Sequence, residues 1–324
     1  MSTFDPQVTA MIEAGRKAGA RPFEQLTPEQ ARAAYAAGWN VVQPAIADVA
    51  SVRDLTIPAE AGALALRVYR GIGTSDTEQL PCMVFLHGGG WVIGNLDSHD
   101  RLCRILANKA RICVVAVDYR LAPEHRFPAA LVDSTTALRW VASHTDELSI
   151  APGRIAVGGD SAGGNLAAVV ALMGRDGTAP PTMYQALLYP VVDLTAQCAS
   201  YGRVTSGVPL TAATMHWFID HYTPDAADRR DWRASPLLAK SLAGTPPALV
   251  MTVTHDPLCD EGRAYARRLE ADDVRVTVLH LSDHMHGMLM HGKLVQASNV
   301  MLDFVCTAIG DALHRGTPTV PAAG

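Results

Sequence analysis

The chain has 324 residues, of which 48% are hydrophobic and 18% charged, with 26 glycines and 20 prolines. This composition is that of a globular protein, and it excludes disordered and collagen-like chains. The formal net charge is −5 and the Lys and Arg residues are scattered, so we expect no nucleic-acid partner. No apolar run approaches the roughly 20 residues that cross a bilayer, and the N-terminus lacks the pattern of a signal peptide. These features predict a cytoplasmic protein without a membrane span.

Helical patterns open the chain over residues 5–19 and 28–43, and Thr27 and Pro28 provide a cap and a first-turn proline for the second. From Gly62, apolar residues alternate with others in the period of a half-buried strand. Further strands are predicted at 82–86, 112–117, 154–158, 184–189, 247–253 and 274–280. Helices are predicted at 99–110, 127–144, 162–174, 260–271 and 295–313. This alternation indicates a mostly parallel sheet covered by helices.

Residues 194–240 interrupt the alternation, because they contain a predicted helix at 211–222 but no strand. We interpret this segment as an insertion that covers one end of the sheet together with the N-terminal helices. The predicted organisation is a helical cap of residues 1–45 and 194–240, a catalytic domain of residues 46–193 and 241–314, and a flexible tail of residues 315–324.

The most informative segment is Gly159-Asp160-Ser161-Ala162-Gly163, which follows a predicted strand and leads directly into an Ala-rich helix. This is the G-x-S-x-G pattern in the strand–turn–helix context of a nucleophile elbow, which presents the serine hydroxyl above the sheet. Gly159 and Gly164 also have the spacing of a phosphate-binding loop. However, Asn165 and Leu166 stand where that loop needs Lys and Ser or Thr.

A second Gly-rich segment, His87-Gly88-Gly89-Gly90, follows the strand predicted at 82–86. It matches the loop that supplies backbone N–H groups to the oxyanion in lipases and esterases. Each such donor stabilises the transition state by about 3–4 kcal/mol. A dinucleotide-binding role is excluded because Ile93 stands where the third glycine of that fingerprint belongs. The two Gly motifs together predict a serine hydrolase.

Four motifs over about residues 60–310 extend this interpretation. They are His87-Gly-Gly-Gly-Trp91, Asp118-Tyr-Arg-Leu-Ala-Pro-Glu-His-Arg-Phe-Pro-Ala-Ala130, Gly159-Asp-Ser-Ala-Gly163 and Asp256-Pro-Leu-Cys-Asp-Glu-Gly262. With them the chain resembles the bacterial hormone-sensitive-lipase family of carboxylesterases, in the subgroup marked by the GDSAG elbow. The resemblance implies an α/β-hydrolase fold with a mostly parallel eight-stranded sheet and a helical cap. It also implies activity on short- to medium-chain acyl esters, with oxyanion N–H groups from Gly88, Gly89 and Ala162.

A serine nucleophile needs a histidine that accepts its proton and a carboxylate that holds the histidine. In α/β-hydrolases the acid and the histidine follow the serine in that order. Asp256 lies at the end of the strand predicted at 247–253 and matches the family's Asp-Pro-Leu motif, so we choose it as the acid. Asp193, beyond the strand at 184–189, is the alternative, and Asp260 is better explained as a helix cap.

The candidates for the catalytic base are His280, His284, His286 and His291. In the family this histidine precedes a small residue and then usually Phe, so we choose His286, which precedes Gly287 and Met288. Met288 in place of the aromatic residue is a departure from the family pattern. His284 remains the alternative base.

Substrate contacts are less defined by sequence. Side chains that would line the pocket are Trp39, Trp91, Tyr189, Met215, Trp217 and Phe218, and core packing is an equally reasonable expectation for the aromatic ones. His216 and His221 are interpreted as surface or pocket residues. The six cysteines are far apart and show no metal-binding spacing, so we expect reduced cysteines, no metal and no organic cofactor.

The predicted function is therefore a serine carboxylesterase that forms an acyl-enzyme on Ser161. The same triad serves an amide, carbamate or lactone hydrolase, which remains an alternative. A non-catalytic small-molecule binding protein is a second alternative, since the fold alone does not determine function. A homodimer is a further expectation from the family.

Overall fold

The computed structural model describes residues 3–316, and residues 317–324 of the predicted tail lie outside this range. The strands of the described part are β1 Ser51–Ala59, β2 Gly62–Arg70, β3 Leu80–Leu86, β4 Cys113–Val117, β5 Ile150–Asp160, β6 Gln185–Leu188, β7 Ala248–His255 and β8 Val276–Met285. Its α-helices are α1 Pro6–Lys17, α2 Pro28–Val42, α3 Leu96–Ala110, α4 Ala129–Ser143, α5 Ala162–Arg175, α6 Ala199–Arg203, α7 Ala212–Tyr222, α8 Cys259–Ala271 and α9 Gln296–Arg315. Residue 315, assigned to the predicted tail, is therefore the last residue of α9.

The eight strands form one sheet in the order β1-β2-β4-β3-β5-β6-β7-β8. The strands from β3 to β8 pair in parallel, whereas β2 is antiparallel to both β1 and β4. The predicted mostly parallel eight-stranded sheet is confirmed. Since β3, β5, β7 and β8 are parallel, their carboxyl ends meet at one edge of the sheet, where ligands bind in such folds.

The central strands are continuous apolar runs because helices cover both faces of the sheet. Along β3, Val84 and Leu86 pack into the core that contains α4 and α5, whereas Met83 and Phe85 pack into the core that contains α3 and α9. The strand β1 is the one that no sequence pattern predicted. It is an edge strand with mostly exposed residues and contains Pro58, so it carries little apolar signal.

Residues 194–240 contain α7, which matches the helix predicted at 211–222, and no strand; the short helix α6 was not predicted. The insertion contacts the N-terminal segment, because Thr214 Oγ1 in α7 donates to Glu24 Oε2 at 2.7 Å. The N-terminal segment also contacts the loops that follow β3 and β4. Arg32 in α2 donates to the backbone carbonyls of Val92 and Ala122, both at 2.8 Å.

Across residues 3–316, no helix combines the length and the apolar character needed to span a bilayer.

Candidate active site

The nucleophile elbow lies between β5 and α5. Ser161 has φ 55° and ψ −117°, a conformation that non-glycine residues rarely adopt and that marks a site where strain is stored. The flanking glycines are required by close packing, because a Cβ on Gly159 or Gly163 would come within 2.2 Å and 1.8 Å of the Leu86 carbonyl oxygen. The elbow therefore lies directly against the carboxyl end of β3, where the second Gly-rich segment begins.

The structure brings Ser161, His286 and Asp256 together from the ends of three strands. Ser161 Oγ lies 2.9 Å from His286 Nε2. On the other side of the imidazole, Nδ1 lies 2.7 Å from Asp256 Oδ2. The other oxygen of this carboxylate accepts the Leu258 backbone N–H at 2.8 Å, which fixes the orientation of the acid.

These contacts determine the histidine tautomer. A carboxylate only accepts, so the hydrogen of His286 is on Nδ1 and Nε2 is free to accept the Ser161 proton. The Asp256 side chain is 1% exposed, whereas 13% of the His286 side chain is exposed to solvent. The edge-to-face ring of Tyr189, at a centroid distance of 4.8 Å, packs against this imidazole.

The alternative acid and base lie outside this arrangement. Asp193 Oδ1 accepts from the backbone N–H and the hydroxyl of Thr195 at 2.9 Å and 2.6 Å. His284 is buried and its Nδ1 lies 2.7 Å from Asp283 Oδ1. Asp260, expected as a cap, lies in the first turn of α8 and pairs with Arg203 at 2.8 Å.

The expectation that Gly88 supplies an oxyanion donor is wrong in this structure. The Gly88 N–H donates to Asp160 Oδ1 at 2.8 Å, so it is occupied within the protein. Sequence reasoning missed this contact because the residue between Gly159 and Ser161 is variable in the motif and carries no signal of its own partner.

The next two peptide groups of the loop are oriented by their carbonyls. The Gly88 carbonyl faces His87 Nδ1 at 2.8 Å, and the Gly89 carbonyl accepts the Ile93 N–H at 2.9 Å. In a trans peptide the N–H points opposite to the carbonyl. The N–H groups of Gly89 and Gly90 therefore point away from these internal partners, and neither donates to an acceptor within residues 3–316.

Ala162 adds a third N–H group. As the first residue of α5 it has no acceptor in its own helix, and the helix N-terminus favours negative charge at this point. Three backbone donors, from Gly89, Gly90 and Ala162, are thus available beside Ser161.

Among the expected pocket residues, Phe218 packs its ring against Gly90 of the oxyanion loop. A Cβ on Gly90 would lie 2.2 Å from its ring. Trp217 lies next to it, with a ring-centroid distance of 5.1 Å. Tyr35 reaches this group through Phe23, whose ring lies 6.5 Å from Tyr35 and 6.0 Å from Phe218. Sequence reasoning did not select Phe23 or Tyr35, because isolated aromatic residues in an amphipathic segment do not show what they face.

Other expected pocket residues have different surroundings. Trp91 is fully buried and stacks on Tyr222 at 4.4 Å, so it belongs to the core. Met215 is 1% exposed and also belongs to the core. Trp39 lines a cavity of about 450 Å³ beside Arg67 and Asp97, and no triad residue lines that cavity.

The buried Glu261 and Tyr189 and the partly buried His291 have shifted pKa values near the triad. Burial raises the pKa of Glu261 well above its usual range. Burial and the neighbouring His286 and His284 lower the pKa of His291 to about 4. Burial also raises the pKa of the Tyr189 phenol, which stays protonated.

The chain is similar in sequence to known proteins. The α/β hydrolase fold family matches residues 83–290. The chain is 42% identical to the carboxylic ester hydrolase LipN of Mycobacterium tuberculosis, over 89% of this chain and 77% of LipN. It is 37% identical to the ethyl acetate hydrolase of Pseudomonas putida, over 95% of this chain and 98% of that protein.

Solved structures of esterases and related hydrolases have the same fold as this chain. The thermostable esterase from Pseudomonas putida ECU1011 superposes with a TM-score of 0.92 at 38% identity, covering 97% of this chain and 98% of that one. The α/β hydrolase LAE6 from the metagenome of Lake Arreo superposes with a TM-score of 0.92 at 36% identity, covering 98% and 100%. The chain belongs to the α/β-hydrolase-fold carboxylic ester hydrolases of the hormone-sensitive-lipase type.

Proposed function

We propose that this enzyme hydrolyses short- to medium-chain acyl esters through an acyl-enzyme on Ser161. The observation that carries the proposal is the continuous set of contacts from Ser161 Oγ to His286 Nε2 at 2.9 Å and from His286 Nδ1 to Asp256 Oδ2 at 2.7 Å. This arrangement activates a hydroxyl that is otherwise a weak nucleophile at neutral pH.

In the first half-reaction Ser161 Oγ forms a bond to the ester carbonyl carbon while its proton passes to His286 Nε2. The carbonyl oxygen becomes an oxyanion, which accepts hydrogen bonds from the amides of Gly89, Gly90 and Ala162. When the intermediate collapses, the carbon–oxygen bond to the alcohol breaks and His286 returns the proton to that oxygen. Asp256 stabilises the imidazolium that exists between the two transfers.

In the second half-reaction water takes the place of the alcohol. His286 accepts a proton from the water as the water oxygen forms a bond to the acyl carbon, which gives a second oxyanion. When this intermediate collapses, the bond between the acyl carbon and Ser161 Oγ breaks, and His286 passes the proton to Ser161 Oγ. The products are one carboxylic acid and one alcohol, and the enzyme regains its initial state.

The preference for short and medium acyl chains is supported by the aromatic residues above the oxyanion loop. Phe218, Phe23 and Tyr35 come from the two segments that we propose form the helical cap, residues 194–240 and 1–45. The Phe218 ring packs directly on Gly90, and we propose that these aromatic side chains limit the length of acyl chain that the enzyme accepts. A cytoplasmic location and a homodimer remain predictions from the sequence.

The test is the initial rate of hydrolysis of p-nitrophenyl acetate, butyrate, octanoate and palmitate by the wild type and by Ser161→Ala. Ser134→Ala is the matched control, because its hydroxyl donates to the Ala130 carbonyl within α4 and, among the described residues, makes no hydrogen bond to the triad. We expect cleavage of the shorter esters, a loss of several orders of magnitude in Ser161→Ala and little change in Ser134→Ala. A wild type that cleaves anilides or lactones but none of these four p-nitrophenyl esters would replace the acyl-ester assignment with one of those bonds.

A further inference from the structure

The side chain that precedes the nucleophile holds the oxyanion loop from behind. Asp160 is 4% exposed, and its Oδ1 accepts the Gly88 N–H at 2.8 Å. The loop lies so close to this carboxylate that a Cβ on Gly88 would come within 2.3 Å of Asp160 Oδ2. Asp160 therefore contacts the loop directly, although it makes no hydrogen bond to His286 or Asp256.

A buried histidine from α3 completes the contact. His99 is 1% exposed, and its Nε2 lies 3.1 Å from Asp160 Oδ1 and 3.3 Å from the Gly88 backbone nitrogen. Its other ring nitrogen lies 2.9 Å from the hydroxyl of Ser98. Ser98 is in turn held by Asn95, since each of these two side chains accepts the other residue's backbone N–H at 2.9 Å. The capping box of α3 thus orients His99 toward Asp160.

The Asp160 carboxylate keeps its charge in this buried position. Burial alone would raise its pKa, but the neighbouring His99 and the Gly88 N–H outweigh it and hold the pKa below the usual range. His87, on the loop itself, stays neutral because burial and the nearby His99 lower its pKa to about 3. A buried charge without such partners would strongly destabilise the fold. The charge of Asp160 in this position therefore depends on His99 and on the Gly88 N–H.

We propose that Asp160 and His99 form a positioning pair that aligns the oxyanion donors through the Gly88 amide. The inference rests on the proposed function, because it assigns the Gly89 and Gly90 amides to the oxyanion. The Gly88 N–H fixes one peptide plane, and the Tyr119 hydroxyl fixes the same plane from the other side by donating to the His87 carbonyl at 2.6 Å. Because the next two peptide groups continue from this plane, its position determines where the Gly89 and Gly90 N–H groups lie.

The variants that test the pair are Asp160→Ala, His99→Ala and His99→Gln. Asp160→Ala removes the acceptor of the Gly88 N–H, and His99→Ala removes the imidazole that pairs with Asp160. In both variants we expect kcat for p-nitrophenyl butyrate to fall about 100-fold, because displaced oxyanion donors stabilise the transition state less. The KM should change less than about threefold, because the oxyanion exists only in the transition state. His99→Gln places an amide N–H near the position of Nε2, and it should recover kcat to within about fivefold of the wild type.

Two measurements separate positioning from loss of folded enzyme. Titration with a fluorophosphonate counts the reactive Ser161 sites, and kcat is expressed per titrated site. A trifluoromethyl ketone forms a tetrahedral adduct with an oxyanion, so its inhibition constant should rise in proportion to the fall in kcat/KM. A population of partly unfolded enzyme would lower the number of sites but leave this constant unchanged. Asp160→Asn, which keeps the shape of the side chain, replaces Asp160→Ala if that protein does not fold, with at least a tenfold fall in kcat expected.

His280→Ala is the matched control, because the imidazole of His280 in β8 lies 2.8 Å and 3.0 Å from the hydroxyls of Thr252 and Thr254 and, within residues 3–316, makes no hydrogen bond to the triad or the oxyanion loop. The proposal is overturned if kcat per site in Asp160→Ala and His99→Ala stays within threefold of the wild type, or if His99→Gln is as impaired as His99→Ala. Ser161→Ala is assayed in parallel. If it keeps its activity the proposed nucleophile is wrong, whereas an inactive Ser161→Ala beside normal pair variants contradicts the positioning pair alone.

Discussion

The ring of Phe218 in α7 lies against Gly90 of the oxyanion loop, so closely that a Cβ on Gly90 would come within 2.2 Å of it. Gly90 also has φ +56°, which L side chains rarely adopt. The insertion is therefore packed directly on a peptide group whose N–H we assign to the oxyanion. The position of α7 and the geometry of the donors are linked through this one contact.

Gly90→Ala should impair both stability and activity. The added methyl group forces Phe218 or the loop to move, which costs about 1–3 kcal/mol of unfolding free energy. Because the shift displaces an oxyanion donor, kcat/KM should fall more than tenfold. The double variant Gly90→Ala with Phe218→Ala should lose less stability than the sum of the two single changes, as measured by urea unfolding. Additive losses would contradict the contact.

The assignment of the acid can be tested with two equivalent substitutions. Asp256→Asn removes the carboxylate that selects the tautomer of His286, and kcat should fall by about 10⁴-fold. Asp193→Asn is the control, because the amide oxygen can still accept from Thr195. Its kcat should stay within a few fold of the wild type. The reverse pattern in steady-state kinetics would make Asp193 the acid.

Glu261 predicts a pH-dependent stability. It is fully buried, and one of its oxygens accepts the Val192 N–H at 2.7 Å. Because burial raises its pKa above the usual 4.5, ionisation favours the unfolded chain, and stability is lost as pH rises from about 4.5 through the raised value. Glu261→Gln cannot ionise, so its melting temperature relative to the wild type should increase between pH 5 and pH 8. Parallel curves for the two proteins would show that Glu261 is not neutral in the folded state.

The attachment of α2 can be tested at Arg32. This side chain donates to two backbone carbonyls and pairs with Glu124 at 2.6 Å. Arg32→Ala removes all of these bonds and should increase amide hydrogen exchange in α2 under native conditions. Glu124→Gln removes only the ion pair with a half-exposed carboxylate, so it should cost less than about 1 kcal/mol.

The Arg32–Glu124 pair also has a defined pH response. The hydrogen bond from Arg32 lowers the pKa of Glu124 to about 2. A lowered pKa means that the pair contributes its stability above the usual value of 4.5 and loses it as pH falls toward 2. The stability difference between wild type and Glu124→Gln, measured by thermal melts, should therefore shrink in acid. A constant difference would mean that the pair does not depend on the charge of Glu124.

The sequence by itself determined the class of the fold and the order of its parts. Continuous apolar runs predict buried parallel strands, and each predicted run corresponds to an observed strand. The G-x-S-x-G pattern identified Ser161. The order of acid and base, together with the resemblance to the family's Asp-Pro-Leu motif and to the small residue after its histidine, selected Asp256 and His286, which the structure brings within hydrogen-bond distance. These inferences succeed because local periodicity and chemically specific motifs are properties of short segments.

Only the tertiary structure decided how distant segments meet. It showed that the Gly88 amide is used by Asp160 and that His99, 61 residues before Asp160, pairs with it. It placed Trp91 in the core and Phe218 on the oxyanion loop. From the sequence both were expected to line the pocket, Trp91 because it follows the glycines and Phe218 because it lies in the insertion. The edge strand β1 was also decided at this level, because an exposed strand is held by pairing with β2 and carries little hydrophobic pattern. Such contacts depend on the path of the whole backbone, so the local sequence around one residue does not predict its distant partner.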